Sequence, residues 1–162
     1  MVWRMIKGTL YAFVGVVGVL SLVGCDSPIL EELPTYEKSS IVKDGDLAPL
    51  FVAELIDGGE VSLDEYRGAP MMLILFSHTC PDCKALLDDV QRLYDDNVAM
   101  PALLAVGRDA TAEELHRYRL ENGYEFSMAS DSKREIFNLY ATTYVPRLYV
   151  IDPSGVVVAY RV

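Results

Sequence analysis

Two cysteines enclose a proline and an aspartate in Cys80-Pro81-Asp82-Cys83. A thiol acts as a nucleophile only as its thiolate, and a second thiol one helical turn away can close a disulfide with the first. The pair is therefore suited to thiol–disulfide exchange. Cys80 would attack a disulfide and form a mixed disulfide, and Cys83 would resolve it by attacking the sulfur of Cys80. Two other readings use the same residues. Paired cysteines can be half of a zinc site, but a second pair of ligands is missing. His78 and His116, the two histidines of the chain, lack finger spacing, so no metal is expected. Alternatively, the thiols are buried and inert.

The residues around the pair decide how it would be presented. Met71 to Phe76 is a short apolar run that reads as a buried strand, Ser77-His78-Thr79 follows, and Pro81 to about Tyr94 has helical spacing. The cysteines then sit where a strand ends and a helix begins. Free N–H groups and the helix dipole favour a thiolate on Cys80 there, and Pro81 suits the first helical position, where its missing N–H costs nothing. Asp82 opposes that charge; His78 and Arg147 would reinforce it if they lay nearby. His78 reads equally well as a loop residue in water, and Arg147 as a solvated surface residue.

The chain of 162 residues is one domain's worth with extras at the ends, and 51% of it is apolar. A net charge of −10 argues against a nucleic-acid partner and against adhesion to anionic lipid through surface charge. Arg4 and Lys7 precede an uncharged run from Gly8 to Val23, the layout of a secretory signal peptide. Leu22-Val23-Gly24-Cys25 resembles the lipobox of bacterial lipoproteins, which implies cleavage before Cys25 and its lipidation. The expected organisation is a signal peptide over 1–24, a polar tether over 25–43 with Pro28, Pro34 and Ser39-Ser40, and a domain over 44–162. An uncleaved anchor is the alternative, at the short limit of a spanning helix. Both place the domain outside the cytosol. Lipidation of Cys25 would leave Cys80 and Cys83 as the only thiols, which in an oxidising compartment points to catalysis more than to stapling.

Gly45-Asp46-Leu47-Ala48-Pro49 opens the domain. Phe51 to Leu55 and Glu60 to Leu63 flank Asp57-Gly58-Gly59 as a hairpin, and Tyr66-Arg67-Gly68 leads into the motif strand. This order resembles the TlpA/ResA-like thiol-disulfide oxidoreductases. The resemblance implies a thioredoxin-like α/β fold, with a central mixed sheet flanked by helices and an N-terminal β-hairpin. Further on, Ala102 to Val106 reads as a strand ended by Gly107. Thr111 and Glu114 form a capping-box pattern before a helix to about Glu121, stopped by Asn122-Gly123. Phe126 to Met128 is a possible short strand, and Ser132 with Glu135 repeats the capping spacing before a helix through Tyr140. Val145-Pro146 before Leu148 to Ile151 resembles the family's Val-Pro, where the proline is cis and faces the disulfide. Val145 and Pro146 are thereby implied to bind the substrate main chain. Val156 to Tyr160 completes a last hairpin, and the C-terminal helix usual in the family is not expected.

The resemblance breaks at Ile74, where thioredoxins have a buried aspartate. It breaks again at Leu86, where ResA-like proteins have a glutamate, and at Thr79, where an aromatic residue is common. No base is therefore assigned to Cys83. The expected function is an extracytoplasmic, membrane-anchored thiol-disulfide oxidoreductase. Its redox group is the Cys80–Cys83 disulfide, with no added cofactor, and its partners are protein disulfides or dithiols and a membrane electron donor. A thiol peroxidase of the peroxiredoxin type is the first alternative: Ser77 and Cys80 fit that pattern, while Leu73 replaces its proline. A non-catalytic binding lipoprotein on the same fold is the second.

Overall fold

A strand buried on both sides reads as an unbroken apolar run, because successive side chains alternate between the two faces. Met71–Phe76 forms such a strand, β3. Leu73 and Leu75 point into one core with Phe137, Tyr140 and Tyr149, while Ile74 and Phe76 point into another with Cys83, Leu87 and Leu115. Each fully buried leucine or phenylalanine contributes about 1.5–3 kcal/mol. The computed structural model describes residues 36–162. The expected signal peptide and Cys25 lie outside the described residues.

Around β3 the described residues build a seven-stranded mixed sheet. The strands are β1 (Val52–Leu55), β2 (Glu60–Ser62), β3, β4 (Ala102–Arg108), β5 (Ser127–Asp131), β6 (Arg147–Ile151) and β7 (Val157–Arg161), in spatial order β2-β1-β5-β4-β3-β6-β7. β3, β4 and β5 are parallel neighbours; β6 runs antiparallel beside β3, and β7 antiparallel beside β6. β1 and β2 form the expected hairpin, and β1 joins it to β5. Helices α1 (Pro81–Asp95) and α2 (Ala112–Asn122) bury Leu87 and Leu115 on one face, and α3 (Phe137–Tyr140) buries its aromatic rings on the other. The register brings Phe76 level with Gly107, Leu75 with Arg147, and Arg108 with Asp131. The C-terminal ends of β3, β4 and β5 and the start of β6 therefore lie side by side at one end of the strands, and the cysteines follow β3 there.

Several boundaries differ from the sequence reading, each for a local reason. Gly107 does not end its strand. A Cβ there would stand 2.6 Å from Leu115, so the glycine lets α2 lie against β4 while pairing continues to Arg108. β2 stops at Ser62, whose hydroxyl caps a 3-10 helix over Leu63–Tyr66, with Glu65 returning the bond. The Thr111–Glu114 capping box forms as expected, and Gly123 ends α2 in the left-handed conformation.

The repeated capping pattern at Ser132 and Glu135 does not form a box. Arg134 has φ 60, which no right-handed helix accommodates, and Asp131 takes over the capping. Its carboxylate accepts the N–H of Ile136 at 3.2 Å and of Phe137 at 2.7 Å.

The tether boundary also moves. Residues 36–43, read as part of the polar tether, pack on the domain with Ser39, Ser40 and Val42 buried. Ser40 bridges to Ala141, the N–H groups of Ile41 and Val42 donate to the carbonyl of Tyr140, and Thr142 N–H donates to Ser39 O at 2.9 Å.

Candidate active site

Cys80 is the N-cap of α1, with extended backbone (φ −93, ψ 121), and Pro81 occupies the first turn. A proline in that position breaks no helix bond, and its ring fixes the φ that the helix needs. Cys80 is half-buried, at the end of the helix where unpaired N–H groups favour an anion. Its Sγ–H donates to the carbonyl of Val145 at 3.8 Å. Val145 precedes Pro146 through a cis peptide bond. The proline loop, distant in sequence, thus lies directly against the outer cysteine.

Cys83 sits one turn further along α1 and is wholly buried among Phe76, Leu87 and Ile74. Burial pushes its thiol up to about 12, because the thiolate would lose its hydration. The N–H of Ser77 donates to the Cys83 sulfur at 3.4 Å and works in the opposite direction, as does the more distant charge of Arg108, while the adjacent Cys80 adds to the rise. Both cysteines are thiols in this structure. Among the described residues, no group of three or more His, Cys, Asp or Glu side chains is placed to hold a metal.

The other expected site residues separate into those near the sulfurs and those that are not. Asp82 lies exposed in the first turn of α1. His78 is half-buried and packs edge-on against Tyr118 of α2, with ring centroids 6.1 Å apart; no hydrogen bond joins it to either cysteine. Arg147 is not a solvated surface residue: it is fully buried. Its guanidinium satisfies itself on neutral oxygens of Ser39, Ser40, Thr143 and Tyr144.

Two further residues act on the Cys83 thiol: the sequence pointed to Ser77 only through the peroxiredoxin pattern, and it did not point to Arg108, whose charge acts from further away. Ser77 contributes only its backbone N–H, which leaves no side-chain signal. Arg108 closes β4, stacks its guanidinium 4.6 Å from the centroid of Phe137, and is depressed by burial and by the neighbouring Arg134. A charged residue directly after a buried strand was the available signal for it.

This geometry sets an accessible sulfur at a helix start over a protonated, buried one, with a backbone carbonyl alongside. Residues 45–160 match the model of the AhpC/TSA family. The chain belongs to the AhpC/TSA family. This AhpC/TSA protein has the thioredoxin-like fold shared with its structural neighbours. The thiol-disulfide oxidoreductase ResA of Oceanobacillus iheyensis is 28% identical over 124 residues, which are 74% of this chain and 65% of that protein. A candidate peroxiredoxin of Mycobacterium tuberculosis, Rv2521, is 28% identical over 122 residues, covering 74% of this chain and 77% of its own length. Among solved structures, a candidate protein disulfide isomerase of Bacteroides thetaiotaomicron superposes with a TM-score of 0.67 at 28% identity. That match covers 76% of this chain and 80% of the other. The chain spans just under two thirds of the length of the ResA protein it matches.

Proposed function

We propose that this AhpC/TSA protein is an extracytoplasmic, membrane-anchored thiol-disulfide oxidoreductase that reduces protein disulfides through Cys80 and Cys83. The observation that carries this reading is the asymmetry of the two thiols, one half-exposed at a helix start and the other buried and held protonated. Cys80 thiolate attacks one sulfur of a substrate disulfide; that S–S bond breaks as a Cys80–substrate S–S bond forms, and the leaving sulfur takes up a proton. Cys83 then gives up its proton and attacks the Cys80 sulfur, which releases the second substrate thiol and leaves a Cys80–Cys83 disulfide. Two electrons have passed to the substrate. A membrane electron donor outside this chain returns them, and the pair itself is the redox group, with no further cofactor required. Val145 and Pro146 flank Cys80 and hold the extended substrate chain, with the Val145 carbonyl beside the reacting sulfur. Leu22-Val23-Gly24-Cys25 supports an address reached by lipidation of Cys25.

Trapping tests the assignment. Cys83→Ser should accumulate mixed disulfides with oxidised protein substrates, and Cys80→Ser should not; equal trapping by both would overturn the roles. The mass of the membrane-extracted protein checks the anchor, since a mature chain retaining Met1 would remove it.

A second reading is favoured by the resemblance to the mycobacterial candidate peroxiredoxin, and by Ser77 and Cys80 at that family's spacing. In it, Cys80 thiolate takes one oxygen from a hydroperoxide, giving a sulfenic acid and water or an alcohol. Cys83 then condenses with it and expels water. Comparing hydrogen peroxide with a protein disulfide as oxidant separates the two. The oxidoreductase reading expects the protein disulfide to react faster with Cys80.

A further inference from the structure

Arg147 stands directly after the proline of the site, and its burial has no counterpart elsewhere among the described arginines. A buried guanidinium is costly unless its N–H groups are bonded. Here they are bonded on two sides. Nε donates to the carbonyls of Thr143 at 3.2 Å and Tyr144 at 3.1 Å, and Nη2 donates to Thr143 O at 2.7 Å. On the other side, Nη1 donates to Ser40 Oγ at 2.7 Å and Nη2 to Ser39 Oγ at 2.6 Å. Ser39 and Ser40 are themselves buried, and their hydroxyls donate to Tyr36 O. The ring of Tyr36 packs 4.8 Å from that of Tyr144. Tyr144 has φ 59, a left-handed backbone that a bulky side chain adopts only when its surroundings impose it. Its carbonyl is one of those held by Arg147, and the next residue is Val145.

We propose that Arg147 is a positioning residue that fastens the loop Thr143–Pro146 to the segment Tyr36–Ser40 and so fixes the Val145 carbonyl for the substrate chain. The segment entering the domain becomes the outer support of the substrate site. Arg147 touches neither cysteine in this scheme and acts only through the loop. A lysine cannot replace it, since one ammonium cannot reach both serine hydroxyls and both carbonyls from a fixed fork. The proposal rests on the redox reading for its substrate, but the state of the loop can be measured without turnover.

The experiment uses the full chain with Arg147→Met, Arg147→Lys and the double variant Ser39→Ala with Ser40→Ala. Three quantities are read: KM and kcat for an oxidised protein substrate, the rate of Cys80 alkylation by iodoacetamide, and amide hydrogen exchange at Thr142 to Val145. Arg147→Met should raise KM by about tenfold with kcat changed less than about twofold, and leave Cys80 alkylation unchanged. Exchange at Thr143 to Val145 should accelerate while β3 and β4 keep their protection. Arg147→Lys should behave like Arg147→Met, and the serine double variant should raise KM by about threefold. Should Arg147→Met fail to fold, the serine variant, which keeps the guanidinium bonded to the loop, decides. Unchanged exchange at the loop in a folded variant overturns the proposal, and so does full rescue by lysine. Uniform loss of protection across the sheet reduces Arg147 to a stabilising residue and overturns it as well. If the unmodified protein turns over no protein disulfide while the loop still loosens in Arg147→Met, the redox reading fails and the fastening stands.

Discussion

The two halves of the site are held in different ways. On the cysteine side, the contacts that shape the turn are short in sequence, the Cys80 Sγ–H bond to Val145 apart: Ser77 N–H reaches Cys83, Cys80 caps the helix that carries Cys83, and Lys84 N–H closes the first turn on Cys80 O. On the proline side, the loop is held by Arg147, which bonds to serines more than a hundred residues away. The sulfurs are thus set mainly by local structure, while the loop proposed to meet the substrate depends on contacts from distant parts of the chain. Damage should therefore show up differently: changes at the sulfurs themselves should alter chemistry, changes in the packing around them should cost stability, and changes in the proline loop should weaken the proposed substrate binding.

The largest expected effect sharpens the cysteine side. A thiol titrating near 12 is ionised in on the order of one molecule in 10⁵ at pH 7. In Cys80→Ser, alkylation of Cys83 should be very slow at neutral pH. Because the thiolate is the disfavoured form, its rate should keep rising with each unit of pH from the ordinary thiol value of 9.0 toward about 12. A plateau near 9.0 would show that Cys83 is not desolvated.

Next comes Gly107→Ala, which tests the packing beneath the cysteine side. The added methyl would meet Leu115 at 2.6 Å, and the expected loss is about 1–3 kcal/mol in denaturant unfolding, with Cys80 reactivity retained. Asp131→Ala tests a short-range contact outside both sides, removing the acceptor of the Ile136 and Phe137 N–H groups at the start of α3. It should cost about 1–2 kcal/mol and accelerate exchange in α3 before the strands.

The smallest effect separates distance in sequence from burial. Arg119 makes two bonds of 2.6 Å to Asp57 in the β1–β2 turn, a long-range pair whose carboxylate is exposed to water while the guanidinium is half-buried. Arg119→Ala should cost less than about 1 kcal/mol. The Arg119 bonds hold the Asp57 carboxyl below its ordinary 3.8, so this small contribution is present above that value and disappears as pH falls through the lower folded value. A cost similar to that of Asp131→Ala would mean that long-range contacts matter here even without burial.

By itself the sequence determined what rests on local chemistry and periodicity. The apolar run of β3, the proline that opens α1, the Thr111–Glu114 cap and the hairpins all carry their signals within a few residues, whereas the cis Val145–Pro146 step was implied only by the family resemblance. Hydrogen bonds and side-chain alternation over such spans leave a readable pattern. Tertiary structure alone decided the rest. Gly107 read as a strand end because its contact with Leu115 lies in another element, and Ser132 read as a cap because Asp131 competes from the end of β5. Ser39 and Ser40 read as tether, and Arg147 as solvated, because polar residues are usually exposed. Only when folding sets Arg147 between Ser39, Ser40 and the carbonyls of Thr143 and Tyr144 can all of them be buried, since each then satisfies the other's hydrogen bonds. That mutual satisfaction joins distant segments once, without repetition, so no spacing in the chain announces it.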